Sequence, residues 1–236
     1  MKRMKRTSAA PCGRRALLLA TAGAALLFAA PPVLAEDDAM TAQGIVDKAR
    51  ISLESLAADK NFGAMRQALK SARGVLIFPQ LLKGGFFVGG SGGTGVLLAR
   101  DAGGQWKGPA FYTIGSASIG VQFGGEAAET VIVVNSQKAL DSLYANQFKL
   151  GADGSIAAGP VGQGAALAFT TDMVNFSRSK GAFFGVSLEG SVLDVRDSLN
   201  HAYYKAPVSP LDILVRNKAV SAEAAGLRAA VATAAR

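Results

Sequence analysis

The apolar positions change period along the chain, and the changes mark out its elements. From Ala39 to Ala72 they recur at helical spacing, through Ile45, Ala49, Leu53 and Leu56 and then Phe62, Met65, Leu69 and Ala72. Asp59-Lys60-Asn61 interrupts this stretch, so two helices are expected, with Asn61 as the cap of the second. After Gly74 the pattern shortens to strand-like runs bounded by Gly, Pro, Asp or Asn: 75–78, 86–88, 95–98 and 130–134. Asp101-Ala102-Gly103-Gly104 reads as a hairpin turn leading to Trp106. Ser136 to Gln147 reads as one inserted helix capped by Asn135 or Ser136. Strands are expected again from Ser155 to about Arg196, with short helices near Leu211–Val215 and Ala222–Ala234. The fold class is therefore α+β: a mainly antiparallel, glycine-rich β-sheet or sandwich with N-terminal helices and one inserted helix.

The first 35 residues read as an address rather than as part of that fold. Lys2, Arg3, Lys5, Arg6, Arg14 and Arg15 precede an apolar run from Ala16 to Ala30, and Val33-Leu34-Ala35 offers a cleavage site before Glu36. A run of 15 residues is short of the roughly 20 needed to span a bilayer. A secretory signal at 1–35, followed by a single domain at 36–236 in the periplasm or cell envelope, is the expectation. Arg14-Arg15 leaves the route, general secretory or twin-arginine, open. Cys12, the sole cysteine, lies in the leader ahead of the apolar run, so the remaining chain has no thiol ligand or disulfide. Setting the leader aside also changes the charge. The whole chain carries +8, but 36–236 holds 19 basic against 17 acidic residues, a balance that argues against nucleic acid as a partner.

Catalytic chemistry finds little support. Gly90-Ser91-Gly92-Gly93-Thr94-Gly95 fits Gly-x-Gly-x-x-Gly, but Val96-Leu97-Leu98 and a turn follow where a nucleotide site needs a helix and an acid. Those glycines are expected to permit close backbone packing or bulges instead, and no nucleotide partner is expected. His201 is the sole histidine, and Gly185-Val186-Ser187-Leu188-Glu189 misses the nucleophile elbow at its last residue, so no triad with Asp194 or Asp197 is expected. One histidine and no available cysteine leave no zinc set. Neither catalytic residues, metal nor cofactor are expected.

Lys83-Gly84-Gly85-Phe86-Phe87 is echoed by Lys180-Gly181-Ala182-Phe183-Phe184, 97 residues on. Strand alternation sends the two rings of each pair to opposite faces. Two similar strands with covered rings, or a basic and aromatic rim meeting a membrane, both account for the echo.

The order of motifs then resembles one family. Residues 72–79, Lys83 to Gly95, Trp106 to Ala110, Gly115 to Gly125, Ala158 to Gly162, Ser177 to Gly190 and Asn200-His201-Ala202-Tyr203-Tyr204 follow in the order of a SYLF (Ysc84-type) domain, over roughly 45–216. That resemblance implies a lipid-binding module without catalysis, whose eukaryotic members are associated with phosphoinositides and actin. For an exported protein it implies recognition of anionic phospholipid or lipid A headgroups. Basic side chains beside glycine-rich turns suit phosphate groups, which selects Arg73, Lys83, Arg178 and Lys180, with Phe86 and Phe183 as apolar anchors. Lys48 to Arg73 adds six basic residues against Glu54 and Asp59. The alternative is an envelope structural or protein-interaction domain that docks a protein partner through its N-terminal helices.

Overall fold

The computed structural model describes residues 33–85, 88–119, 124–162, 171–179 and 188–236. Residues 1–32 of the leader, Phe86, Lys180 and Phe183 lie outside them, as do the strand expectations within 163–170 and 180–187. Helix α1 (Val33–Ala58) opens the described chain. Its buried stripe is Ala42, Val46, Ala49, Leu53 and Leu56, alternating steps of four and three residues down one side. A 3-10 turn over Lys60–Phe62 links it to α2 (Gly63–Ser71). The capping residue there is Asp59, not Asn61: its carboxylate accepts from the Asn61 N–H at 2.9 Å.

Four long strands follow, β1 (Gly74–Gly85), β2 (Val88–Arg100), β3 (Trp106–Ile119) and β4 (Gly124–Val134). The turn between β2 and β3 is the expected one, with Gly104 at φ +78° and the Asp101 carboxylate accepting from the Gln105 N–H at 2.8 Å. The inserted helix α3 (Gln137–Leu143) is shorter than expected and ends where the chain extends again into β5 (Gln147–Lys149). Ser136 caps it, accepting from the Ala139 N–H at 3.1 Å. Then come β6 (Ile156–Ala158), β7 (Met173–Ser179), β8 (Val192–Val195), α4 (Asp197–Tyr204), α5 (Pro210–Leu214) and α6 (Ala225–Ala234). Helix α4 was not legible in the sequence.

One eight-stranded sheet runs in the order β5-β8-β3-β2-β1-β4-β7-β6, antiparallel except for β6 against β7. The sheet is curled, its two edge strands β5 and β6 follow one another in the chain, and the turn between them holds a bridge between Leu150 and Gly154. Strand alternation sorts its side chains into two cores. Val75, Ile77, Val96, Leu98, Phe111, Val131 and Val133 point outward and are covered by α1, α2, α4 and α6. Leu76, Phe78, Leu97, Tyr112, Ile132 and Val134 point inward, together with Leu140 and Leu143 of α3 and Ile213 and Leu214 of α5. Tyr112 fastens the inner core to α3 by donating its hydroxyl hydrogen to the Leu143 carbonyl at 2.5 Å. Among the described residues no helix is long and apolar enough to cross a membrane.

Candidate functional site

Pro79 interrupts the middle of the sheet. It carries no N–H for the ladder, and β1 is an interior strand, so the chain bulges there: the register against β4 shifts between Phe78 and Leu81, and against β2 between Ile77 and Leu82. Beyond the bulge β1 resumes with Leu82 paired to Gly92 on one side and Ala127 on the other. Both neighbours are small, and Leu82 therefore stands 56% exposed on the outer face. From α1, Ile45, Lys48 and Ile51 lean over the same region, and Ile51 is also 56% exposed.

The result is a groove along α1, crossing β2, β1 and β4. Two adjoining depressions of about 280 and 240 Å³ make it up, and both are lined by Lys48, Pro79 and Gln80. Gly92 and Gly93 lie at one end and Ala127, Ala128 and Glu129 at the other. Lys48 has no ion-pair or hydrogen-bond partner among the described residues. Glu129 is fully engaged. It accepts from the Arg178 Nε at 3.1 Å and from the Ser52 hydroxyl at 3.2 Å. Arg178 also donates to the Ser55 hydroxyl at 2.8 Å and lies 3.9 Å from Asp59, so it ties β4 and β7 to the end of α1.

Among the described residues, three of the cations selected from the sequence, Arg73, Lys83 and Arg178, do not share one face. Arg73 precedes β1 and Lys83 lies near its far end, so about ten strand residues, on the order of 33 Å, separate them. Lys83 faces inward, opposite Ser91 and Glu126, and neither Lys83 nor Glu126 has an ion-pair partner among the described residues. One carboxylate oxygen of Glu126 is buried without a hydrogen bond. Arg178 faces outward and is held by Glu129. The glycines near Lys83 are not turn residues either: Gly84 pairs with Gly90 and Gly125, and these N–H groups lie in the sheet plane, not free for a phosphate. The second Lys-Gly-x-Phe-Phe segment begins beyond the end of β7, and Ser179 lies opposite Ala128, itself opposite Leu81. The described chain thus heads toward the Lys83 end of the sheet. Sequence reasoning missed Ile51, Leu82 and Ala127, which sit together only because a bulge rotates β1 under α1.

The Gly90–Gly95 segment lies wholly within β2. A side chain at Gly95 would collide with the Ile77 carbonyl and the Phe78 ring, and one at Gly93 with the Gln80 carbonyl. These glycines permit close packing. His201 is exposed on α4 and has no hydrogen bond to Asp194 or Asp197 among the described residues.

A family model described as Ysc84, Las17-binding protein actin regulator, matches residues 115–234. An SH3 domain-containing protein of Schizosaccharomyces pombe is 36% identical over 153 residues, covering 62% of this chain and 35% of that protein. SH3 domain-containing YSC84-like protein 1 of Homo sapiens is 32% identical over 151 residues, covering 62% and 44%. LAS seventeen-binding protein 3 of Saccharomyces cerevisiae is 35% identical over 143 residues, covering 58% and 31%. This chain thus spans less than half the length of these curated relatives, one of which is named as a binding protein. No solved structure matches it. The family match takes in half the chain, including the end of β3, all of β4 and β7 and the Asn200–Tyr204 element, and on that ground the chain belongs to the Ysc84 family.

Proposed function

We propose that this protein is a non-catalytic module that docks on anionic membrane lipids, and that the surface around Leu82, Ile51 and Lys48 makes the contact. The observation that carries this reading is the pairing of two exposed aliphatic side chains with an uncommitted cation. An apolar side chain entering the headgroup boundary gains the transfer of its methylenes from water, about 0.8 kcal/mol each. A basic residue near an anionic surface adds about 1 kcal/mol, weakened by salt. Lys83 lies at the same end of the sheet but on its inner face, so it stands apart from this contact, and the Lys180 and Phe183 segment is proposed to extend the contact. Arg73 and Arg178 contribute less, the one distant and the other neutralised. In an exported protein the surface met would be a bacterial envelope membrane, with phosphatidylglycerol or lipid A phosphates as the anionic groups.

Co-sedimentation tests it. The full chain is expected to pellet with phosphatidylglycerol vesicles, to remain soluble with phosphatidylcholine vesicles, and to be released at high salt. The double variant Leu82→Ser with Ile51→Ser is expected to lose the binding while keeping its thermal unfolding midpoint. Equal pelleting with both lipids contradicts the reading.

A second reading draws on the relatives, since the family description names a Las17-binding actin regulator and one relative is a LAS seventeen-binding protein. A protein partner docking across α1 would use the same groove. Loss of vesicle binding in every lipid, together with a defined partner that Leu82→Ser releases, would favour it.

A further inference from the structure

We infer that the groove between α1 and the bulged β1 takes one acyl chain of an anionic phospholipid, with the headgroup at Lys48; the inference rests on the membrane-docking reading. Three features select a hydrocarbon chain over a peptide. The floor is a sheet face whose main-chain groups on either side of the bulge are paired within the sheet, and the bulge itself brings in Pro79, which has no N–H. The wall is a helix, with its own main-chain groups bonded internally. A peptide laid here would have to leave much of its backbone unpaired against an apolar floor, a cost that a hydrocarbon does not incur. The floor is also cut low by residues with little or no side chain, Gly92, Gly93 and Ala127, while Ile45, Ile51 and Leu82 stand as its sides.

The charges complete the fit. Within the groove the one carboxylate is Glu129, and Arg178 already neutralises it. Lys48 is left as the uncompensated charge at the lip, where a phosphodiester would sit with its chain running over Ala127 or Gly92. The inner face of the sheet offers the opposite: there the carboxylate of Glu126 faces the same end as Lys83 and would repel a phosphate.

Monomeric dihexanoyl phosphatidylglycerol, kept below its micellar concentration, isolates the groove from membrane docking. The full chain is expected to bind it with one-site stoichiometry by calorimetry, and to bind dihexanoyl phosphatidylcholine more weakly. Ala127→Phe fills the floor beside Leu82 and is expected to weaken binding roughly tenfold, the equivalent of about two buried methylenes. Lys48→Glu leaves the floor untouched and is expected to abolish the preference for phosphatidylglycerol. Should Ala127→Phe fail to fold, Lys48→Glu and the wild type still decide the matter. A wild type that pellets with anionic vesicles yet binds no monomeric lipid overturns the groove and leaves membrane docking standing. A wild type that does neither overturns both. Unchanged affinity in a folded Ala127→Phe overturns the groove alone, and equal binding of the two dihexanoyl lipids overturns the role given to Lys48.

Discussion

The side-chain oxygen of Asn200 accepts a hydrogen bond from the main-chain N–H of Phe111 at 2.9 Å, which couples α4 to β3 across 89 residues of sequence. The bond is fully buried, and its neighbours reinforce it. Tyr203 packs edge-on against the Phe111 ring with centroids 5.2 Å apart, and the Tyr204 hydroxyl donates to the Pro109 carbonyl at 2.7 Å. The closing Asn-x-x-Tyr-Tyr element is thus a clamp on β3. Asn200→Ala strands the Phe111 N–H away from water, a loss of about 1–3 kcal/mol. Urea unfolding is expected to show that loss as a lower midpoint at unchanged slope, whereas His201→Ala, on the exposed side of the same helix, should leave it within error.

Gly95 and Gly92 stand three residues apart in β2 and are expected to respond oppositely to alanine. At Gly95 the new methyl meets the Ile77 carbonyl and the Phe78 ring, and overpacking of this kind costs on the order of 1–3 kcal/mol. At Gly92 it meets only the Ile114 carbonyl, at 3.5 Å, an ordinary contact. Thermal unfolding of the two variants is the check, and similar midpoints would remove the packing account of the glycine pattern.

Arg178 and Glu129 form a half-exposed pair, so their mutual contribution is small, about 1 kcal/mol or less. A double-mutant cycle with Arg178→Met and Glu129→Gln should return a coupling in that range. Because Arg178 is committed to Glu129, Arg178→Met is expected to change vesicle binding less than Lys48→Met does.

Acid should weaken the fold through carboxylates held below their ordinary range. The Ser136 hydroxyl, then the Ser155 hydroxyl and N–H, hold Asp172 down, and this joins the start of α3 to β6 and β7. The Gln105 N–H lowers Asp101, and Lys218 lowers Asp212. A group lowered in the folded state contributes stability that is complete above the ordinary carboxylate value, 3.8, and lost as pH falls through the lowered one. Urea midpoints are therefore expected to be flat from pH 7 to 5 and to fall between about pH 4 and 2. Asp172→Asn should be less stable than wild type at pH 7 and should flatten part of that fall.

The α+β class, the N-terminal helices, the hairpin at 101–104 and the inserted helix were legible because each rests on a local signal. Periodicity showed α1 and α2, and Ser136 marked its own helix. What was not legible depends on pairing. Trp106 to Ile119 forms a long strand despite Gly108, Pro109 and Gly115, because β2 and β8 supply partners that outweigh weak local preference. Helix α4 is eight residues long, and its reason for forming is the clamp on Phe111 rather than its own pattern. The candidate site suffered most. Basic residues near glycines were chosen as though the glycines were turns, but Gly84, Gly90 and Gly92 lie in a ladder, and alternation sends Lys83 inward and Leu82 outward. Only the bulge at Pro79 determines which of those two faces α1, and a proline alone does not reveal its register.

The most direct test of the account asks whether Leu82 itself enters the lipid. In a Cys12→Ser background, an environment-sensitive fluorophore is attached at Leu82→Cys, and in a second protein at Asp153→Cys, in the turn between β5 and β6. Phosphatidylglycerol vesicles are predicted to shift the emission of the Leu82 probe to the blue and to leave the Asp153 probe unchanged. Vesicle-bound protein whose Leu82 probe does not shift, or equal shifts at both positions, would contradict the membrane-facing surface assigned to α1 and β1.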